Sequence, residues 1–137
     1  MHLRPTLPYA IALTACFAAA AHAAGPASKP GQLRASYQRC LSDSGGVTPA
    51  MQDCHDAEYA YQDGRLNQVY RRLIQRLPKS DAARLRERQR AWIGQRDREC
   101  DPGARPGQGQ LFDADSCRLH KTAERAAQLQ AQLAATR

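Results

Sequence analysis

Residues 57–100 read AEYAYQDGRLNQVYRRLIQRLPKSDAARLRERQRAWIGQRDREC. Tyr59, Leu66, Tyr70, Leu73 and Leu77 recur at steps of three, four or seven, and Ala82, Leu85, Gln89, Trp92 and Arg96 keep the same helical period after Leu77-Pro78-Lys79-Ser80. Proline and a short polar run between two helical series mark a tight turn. The stretch is therefore an antiparallel helix hairpin with its tip near Lys79. Folding it about Lys79 and Ser80 sets Ile74 against Leu85, Tyr70 against Gln89, Leu66 against Ile93, and Asp63 against Arg96. A charge on an inner helix face is costly unless paired. The pattern thus predicts an Asp63–Arg96 ion pair, with Asn67 and Gln89 as further polar contacts. Polar seam residues of this kind serve most often to fix helix register rather than to form a site. Trp92, the only tryptophan, is in phase with Leu85 and is expected as a core anchor, as are Tyr59 and Tyr70.

Outward from the hairpin, three further helices are expected or extended. Gln32 to Leu41 carries Leu33, Tyr37, Cys40 and Leu41 on one face, and Gly45-Gly46 stops it with residues suited to a left-handed cap. Thr48-Pro49 reads as an N-cap and first-turn proline, so the second helix should run from Pro49 to Leu77. Ser80 caps the third, and Pro102 ends it. Residues 101–115 are rich in Gly, Pro, Gln and Asp and read as a loop. Asp115 or Ser116 then opens a fourth helix with Leu119, Ala126, Leu129 and Leu133 on one face. The fold expected is all-α: four helices built on a long hairpin and stapled by two disulfides.

Composition places the chain outside the cytosol. The 137 residues are enough for one small domain. Residues 1–23 read as a secretory signal, with Arg4 in the n-region, an apolar stretch from Leu7 to Ala21, and Ala21-His22-Ala23 as the cleavage site. The stretch is too short and alanine-rich for a membrane span. A rival reading takes Leu13-Thr14-Ala15-Cys16 as a lipobox, with lipidation at Cys16. Residues 24–31 read as a flexible linker and 32–137 as the domain. Loss of Arg4 leaves 19 basic against 13 acidic side chains, a net charge of +6.

Four cysteines then remain, Cys40, Cys54, Cys100 and Cys117, and an even number in a short exported chain argues for disulfides. No CxxC spacing supports a metal site, and His55 is a lone histidine. In the hairpin register Cys54 lies about five residues, or roughly 7 Å, beyond Cys100. A direct bridge between them is hard to close, and Cys40–Cys54 with Cys100–Cys117 is the simpler pairing.

The combination Thr48-Pro49-Ala50-Met51-x-x-Cys54, Asp63-x-x-Leu66-Asn67-x-x-Tyr70 and Gln89-x-Ala91-Trp92-Ile93-x-x-Arg96-Asp97-x-x-Cys100 resembles the LprI-like lysozyme-inhibitor family, as does Cys117-x-x-x-x-Thr122-x-x-Arg125-x-x-x-Leu129. The resemblance covers Tyr37 to Leu133 and implies an exported, helical, disulfide-bonded binding domain without catalysis. The chain departs from the family pattern at Pro106-Gly107-Gln108-Gly109-Gln110, where a Gly-Gly-Ser-like segment is usual.

The residues themselves point the same way on catalysis. No Ser/His/Asp or Cys/His set stands out, and no phosphate-binding glycine loop follows a strand. No cofactor is expected. Two partner classes remain, beside a purely structural or interaction role. One is lysozyme or another cell-wall hydrolase, met by exposed loops carrying Arg105 and Gln108. The net charge would slow association with a basic enzyme. The other is an anionic envelope polymer, met by the basic residues around the hairpin tip, Arg71, Arg72, Arg76, Lys79, Arg84, Arg86, Arg88 and Arg90. Nucleic acid is excluded by compartment and by the lack of aromatic residues between the arginines. The expected location is the periplasm or the exterior.

Overall fold

The computed structural model describes residues 31–136. The expected signal sequence at 1–23, its rival lipobox at Cys16 and residues 24–30 of the expected linker lie outside the described residues. Four helices follow in chain order: α1 (Ala35–Asp43), α2 (Thr48–Arg76), α3 (Lys79–Glu99) and α4 (Gln108–Ala135). No strand occurs among the described residues. Gly45 and Gly46, at φ of 58° and 78°, supply the left-handed turn between α1 and α2 that side chains with a Cβ rarely adopt.

The two expected disulfides are both formed. Cys40 is bonded to Cys54 and Cys100 to Cys117, with Cα separations of 5.7 and 5.6 Å. One ties α1 to the start of α2, and the other closes the α3–α4 connection.

Helix boundaries shift in four places. The first helix runs over Ala35–Asp43, not Gln32 to Leu41, so Leu33 precedes it, with Arg34 at the N-cap. Thr48 and Ser80 do not cap. Backbone-extended Val47 and Pro78 occupy the N-cap positions with no side-chain hydrogen bond, and the following residues are already helical. The larger correction concerns residues 101–115. Only 101–107 form a loop, and α4 begins at Gln108, seven residues before Asp115. The Gln110 side chain accepts a hydrogen bond from the Gly107 amide at 2.9 Å and so satisfies an orphan donor at the helix start. Phe112 then turns inward against His55, which gives this extra helical segment an anchor.

Within the hairpin architecture, α2 packs most extensively on α4 and less closely on α3. Side-chain size explains this. The inward face of α4 carries Thr122, Ala123 and Ala126 between its leucines, so its backbone approaches α2 closely. The facing residues of α3 include Gln89, Trp92 and Arg96, which hold that helix further off. The main core joins Leu66, Val69 and Leu73 of α2 with Leu85 of α3 and Ala126, Leu129 and Leu133 of α4. A smaller cluster of Tyr37, Cys54 and Leu119 sits at the disulfide end. Leu119 therefore lies near the start of α2 and Leu129 near its end, so α4 runs in the same direction as α2. Trp92, Tyr59 and Tyr70 are half-buried at the edges of these clusters, not enclosed within them.

Candidate functional site

The gap left between α2 and α3 is a cleft of about 370 Å³. The hairpin register places the seam residues as expected. Asp63, Asn67 and Tyr70 line one wall, and Gln89, Trp92 and Arg96 line the other. They face each other across open space. The expected Asp63–Arg96 ion pair is not formed. Asp63 accepts instead from the Asn67 side chain, one turn along the same helix, at 2.7 Å. Arg96 pairs with its neighbour Asp97 at 2.8 Å and reaches towards the Tyr59 hydroxyl at 3.4 Å and Thr122 Oγ1 at 3.5 Å. Each group already has a polar partner on its own helix, so nothing forces the pair to close across the cleft.

Gln89 turns the other way. It is buried, and its side-chain oxygen accepts from Arg125 Nε of α4 at 3.0 Å. Trp92 lies between two guanidinium groups, Arg96 at 5.2 Å and Arg125 at 5.6 Å from its ring centre, which is cation–π range. Burial, together with the nearby charge of Arg88, pushes the pKa of Arg125 down from its ordinary value. Arg86 and Arg90 complete the α3 wall of the cleft. Neither has an acidic partner among the described residues. Sequence reasoning counted both as tip arginines and missed that they line a concavity. The available signal was their position, one residue past the seam positions Leu85 and Gln89.

The remaining expected partner-binding residues lie elsewhere. Arg84 and Arg88 are exposed on α3, and Arg84 is bonded to Asp81. Arg105 is exposed in the 101–107 loop, and Gln108 opens α4. They do not converge with the cleft residues in one lining.

A buried polar cluster at the base of α2 was not foreseen. Glu58 and Gln62 are 1% and 0% exposed. The Glu58 carboxylate accepts from the Arg34 backbone amide at 3.0 Å, from Arg34 Nε at 2.6 Å and from Gln62 Nε2 at 2.7 Å. Arg34 also covers the Tyr61 ring at 3.9 Å. The available signal was periodicity, since Glu58, Gln62, Leu66, Val69 and Leu73 form one stripe facing α4. Next to this cluster His55 is buried among Tyr37, Tyr59 and Phe112. Its ring nitrogens have no hydrogen-bond partner among the described residues. Asp56, at 3.8 Å, is too far to serve as one. Among the described residues no group of His, Cys, Asp and Glu is arranged to hold a metal ion.

The model for lysozyme inhibitor LprI matches residues 40–129. The chain belongs to the LprI family. The matched span runs from Cys40 to Leu129, so it takes in both disulfides, the α2–α3 cleft and most of the LprI helical core. A search of curated proteins and one of solved structures returned no match. None of the described helices is long and apolar enough to cross a membrane.

Proposed function

We propose that this LprI-family protein acts in the bacterial envelope as an inhibitor-like binding protein for lysozyme or a related cell-wall hydrolase, without catalysis of its own. The family match over residues 40–129 is the observation that carries this reading. The loop 101–107 supports it physically. Its ends are held by the Cys100–Cys117 bridge and the first turn of α4, and Pro102 and Pro106 restrict its backbone. Arg105 is exposed there without an acidic partner among the described residues. A preorganised loop carrying an unpaired guanidinium is suited to pair with a carboxylate in an enzyme cleft, because little ordering remains to be done on binding. The test is a turbidity assay in which the oxidised protein is added to c-, g- and i-type lysozymes clearing a cell-wall suspension. Dose-dependent inhibition at physiological salt, weakened by Arg105→Ala, supports the reading. No inhibition at micromolar excess of any of the three overturns it.

A second reading rests on a different observation. Arg71, Arg72, Arg76, Lys79 and Arg88 are exposed around the hairpin tip with no acidic partner among the described residues. Such a patch attracts anionic lipid or acidic polymer. Salt-dependent retention on an anionic resin, lost in the Arg84→Glu/Arg88→Glu variant, distinguishes it from a merely solvated helix face.

A further inference from the structure

The α2–α3 cleft has a composition that helix packing does not require. Its volume of about 370 Å³ falls at the lower end of small-ligand pockets and leaves room for a monosaccharide or disaccharide. Arg86 and Arg90 line it without acidic partners, while Arg96 contributes a third guanidinium already steadied by Asp97 and the Tyr59 hydroxyl. Guanidinium groups match the geometry of carboxylate and phosphate. The facing wall differs in chemistry. Asp63 engages only Asn67, through one of its two oxygens, and so keeps acceptor capacity for hydroxyl donors. Leu66 and Tyr70 on the α2 wall and Trp92 on the α3 wall add apolar and aromatic surface.

Arg86 and Arg90 are exposed along the cleft and unpaired among the described residues, so they can meet an anionic ligand without first breaking an ion pair. A simple anion patch would exclude Asp63. A flat hydrophobic acid would leave Asp63 and Asn67 unused. A ring bearing both hydroxyls and one anionic group uses all of them. We propose that this cleft binds a small acidic saccharide, with Arg86 and Arg90 on its carboxylate or phosphate and Asp63 with Asn67 on its hydroxyls. This site is separate from the Arg105 loop and does not depend on the inhibitor reading.

Trp92, the only tryptophan, lines the cleft and reports its occupancy. The experiment titrates the oxidised protein with glucuronic acid, N-acetylmuramic acid and glucose 6-phosphate, with glucose, N-acetylglucosamine, acetate and inorganic phosphate as controls. Trp92 fluorescence and calorimetry are the readouts. The expected result is saturable binding of at least one acidic sugar, about tenfold or more tighter than its neutral counterpart or the bare anion. Arg86→Ala/Arg90→Ala should weaken it about tenfold or more with helicity and melting unchanged, and Asp63→Ala should weaken it as well. Arg71→Ala/Arg72→Ala, outside the cleft, should leave it intact. The carboxylate and phosphate sugars, compared directly, identify which anionic group the site takes. Absence of saturation up to about 10 mM, far weaker than a millimolar site, overturns the proposal. So does equal binding of acetate or phosphate, or equal weakening by the Arg71/Arg72 variant.

Discussion

Arg34 Nε donates to Glu58 Oε2 at 2.6 Å, and the same carboxylate receives the Arg34 backbone amide. This joins the residue that precedes α1 to a side chain only 1% exposed near the start of α2. Together with Cys40–Cys54 it decides how α1 sits on the rest of the molecule.

Removing one partner leaves a buried charge uncompensated, which is far more costly than the net value of the pair. Arg34→Ala should therefore destabilise the oxidised protein by about 3 kcal/mol. The backbone amide and Gln62 still hold the carboxylate, so complete unfolding is not expected. Glu58→Gln, which removes the charge and keeps an acceptor, should cost less. Denaturant unfolding with both disulfides intact checks the order. A smaller loss for Arg34→Ala than for Glu58→Gln would contradict it.

The Cys40–Cys54 bridge closes a short loop, with a sequence separation of 14, for which chain entropy gives about 3 kcal/mol. Its loss in Cys40→Ala/Cys54→Ala should act locally, because the Leu66–Leu73–Leu129 core lies at the other end of α2. Hydrogen exchange should show amides of residues 35–43 losing protection while those near Leu73 and Leu129 keep it. Uniform loss across all four helices would mean that α1 is integral to the main core.

Asp63 and Arg96 face each other without touching, so a double-mutant cycle on Asp63→Ala and Arg96→Ala should give a coupling under about 0.5 kcal/mol. Arg96→Ala alone should cost more than Asp63→Ala, because Arg96 also contacts Tyr59, Thr122 and Trp92. A coupling above 1 kcal/mol, in the range of contacting residues, would indicate that the cleft closes in solution.

Glu99 of α3 pairs with Lys121 of α4 and also accepts from Gln95 at 2.7 Å. The Lys121 hydrogen bond, first, and Gln95, second, hold its carboxyl below its ordinary range. A carboxylate with a depressed folded-state pKa stabilises the fold above its unfolded pKa. That contribution is lost as pH falls through the folded value. NMR titration should place the Glu99 midpoint below that of an ordinary glutamate, and Lys121→Ala should move it upward. No movement would assign the depression to Gln95 alone.

The limits of the sequence show in particular residues. The period of Leu66, Leu73 and Leu85 and the Pro78 turn made the hairpin legible, because helical phase is a local property. Cysteine parity, the Cys54–Cys100 offset in the hairpin and the oxidising compartment made the bridges legible. The same register placed Asp63 opposite Arg96 but misjudged their contact, since a register says which residues oppose and not how far apart the backbones stand.

The chain by itself thus determined four helices, the turn between α2 and α3, both disulfides and the LprI family, all set by spacing along one dimension. Tertiary structure alone decided that α2 lies closest to α4. Thr122, Ala123 and Ala126 let those two backbones approach, while Trp92, Arg96 and Tyr70 keep α3 away. Relative side-chain bulk on facing helices is a property of three elements at once. It turned an expected closed seam into an open cleft, while Glu58, a polar residue on the core stripe, found its partner in Arg34, which precedes α1.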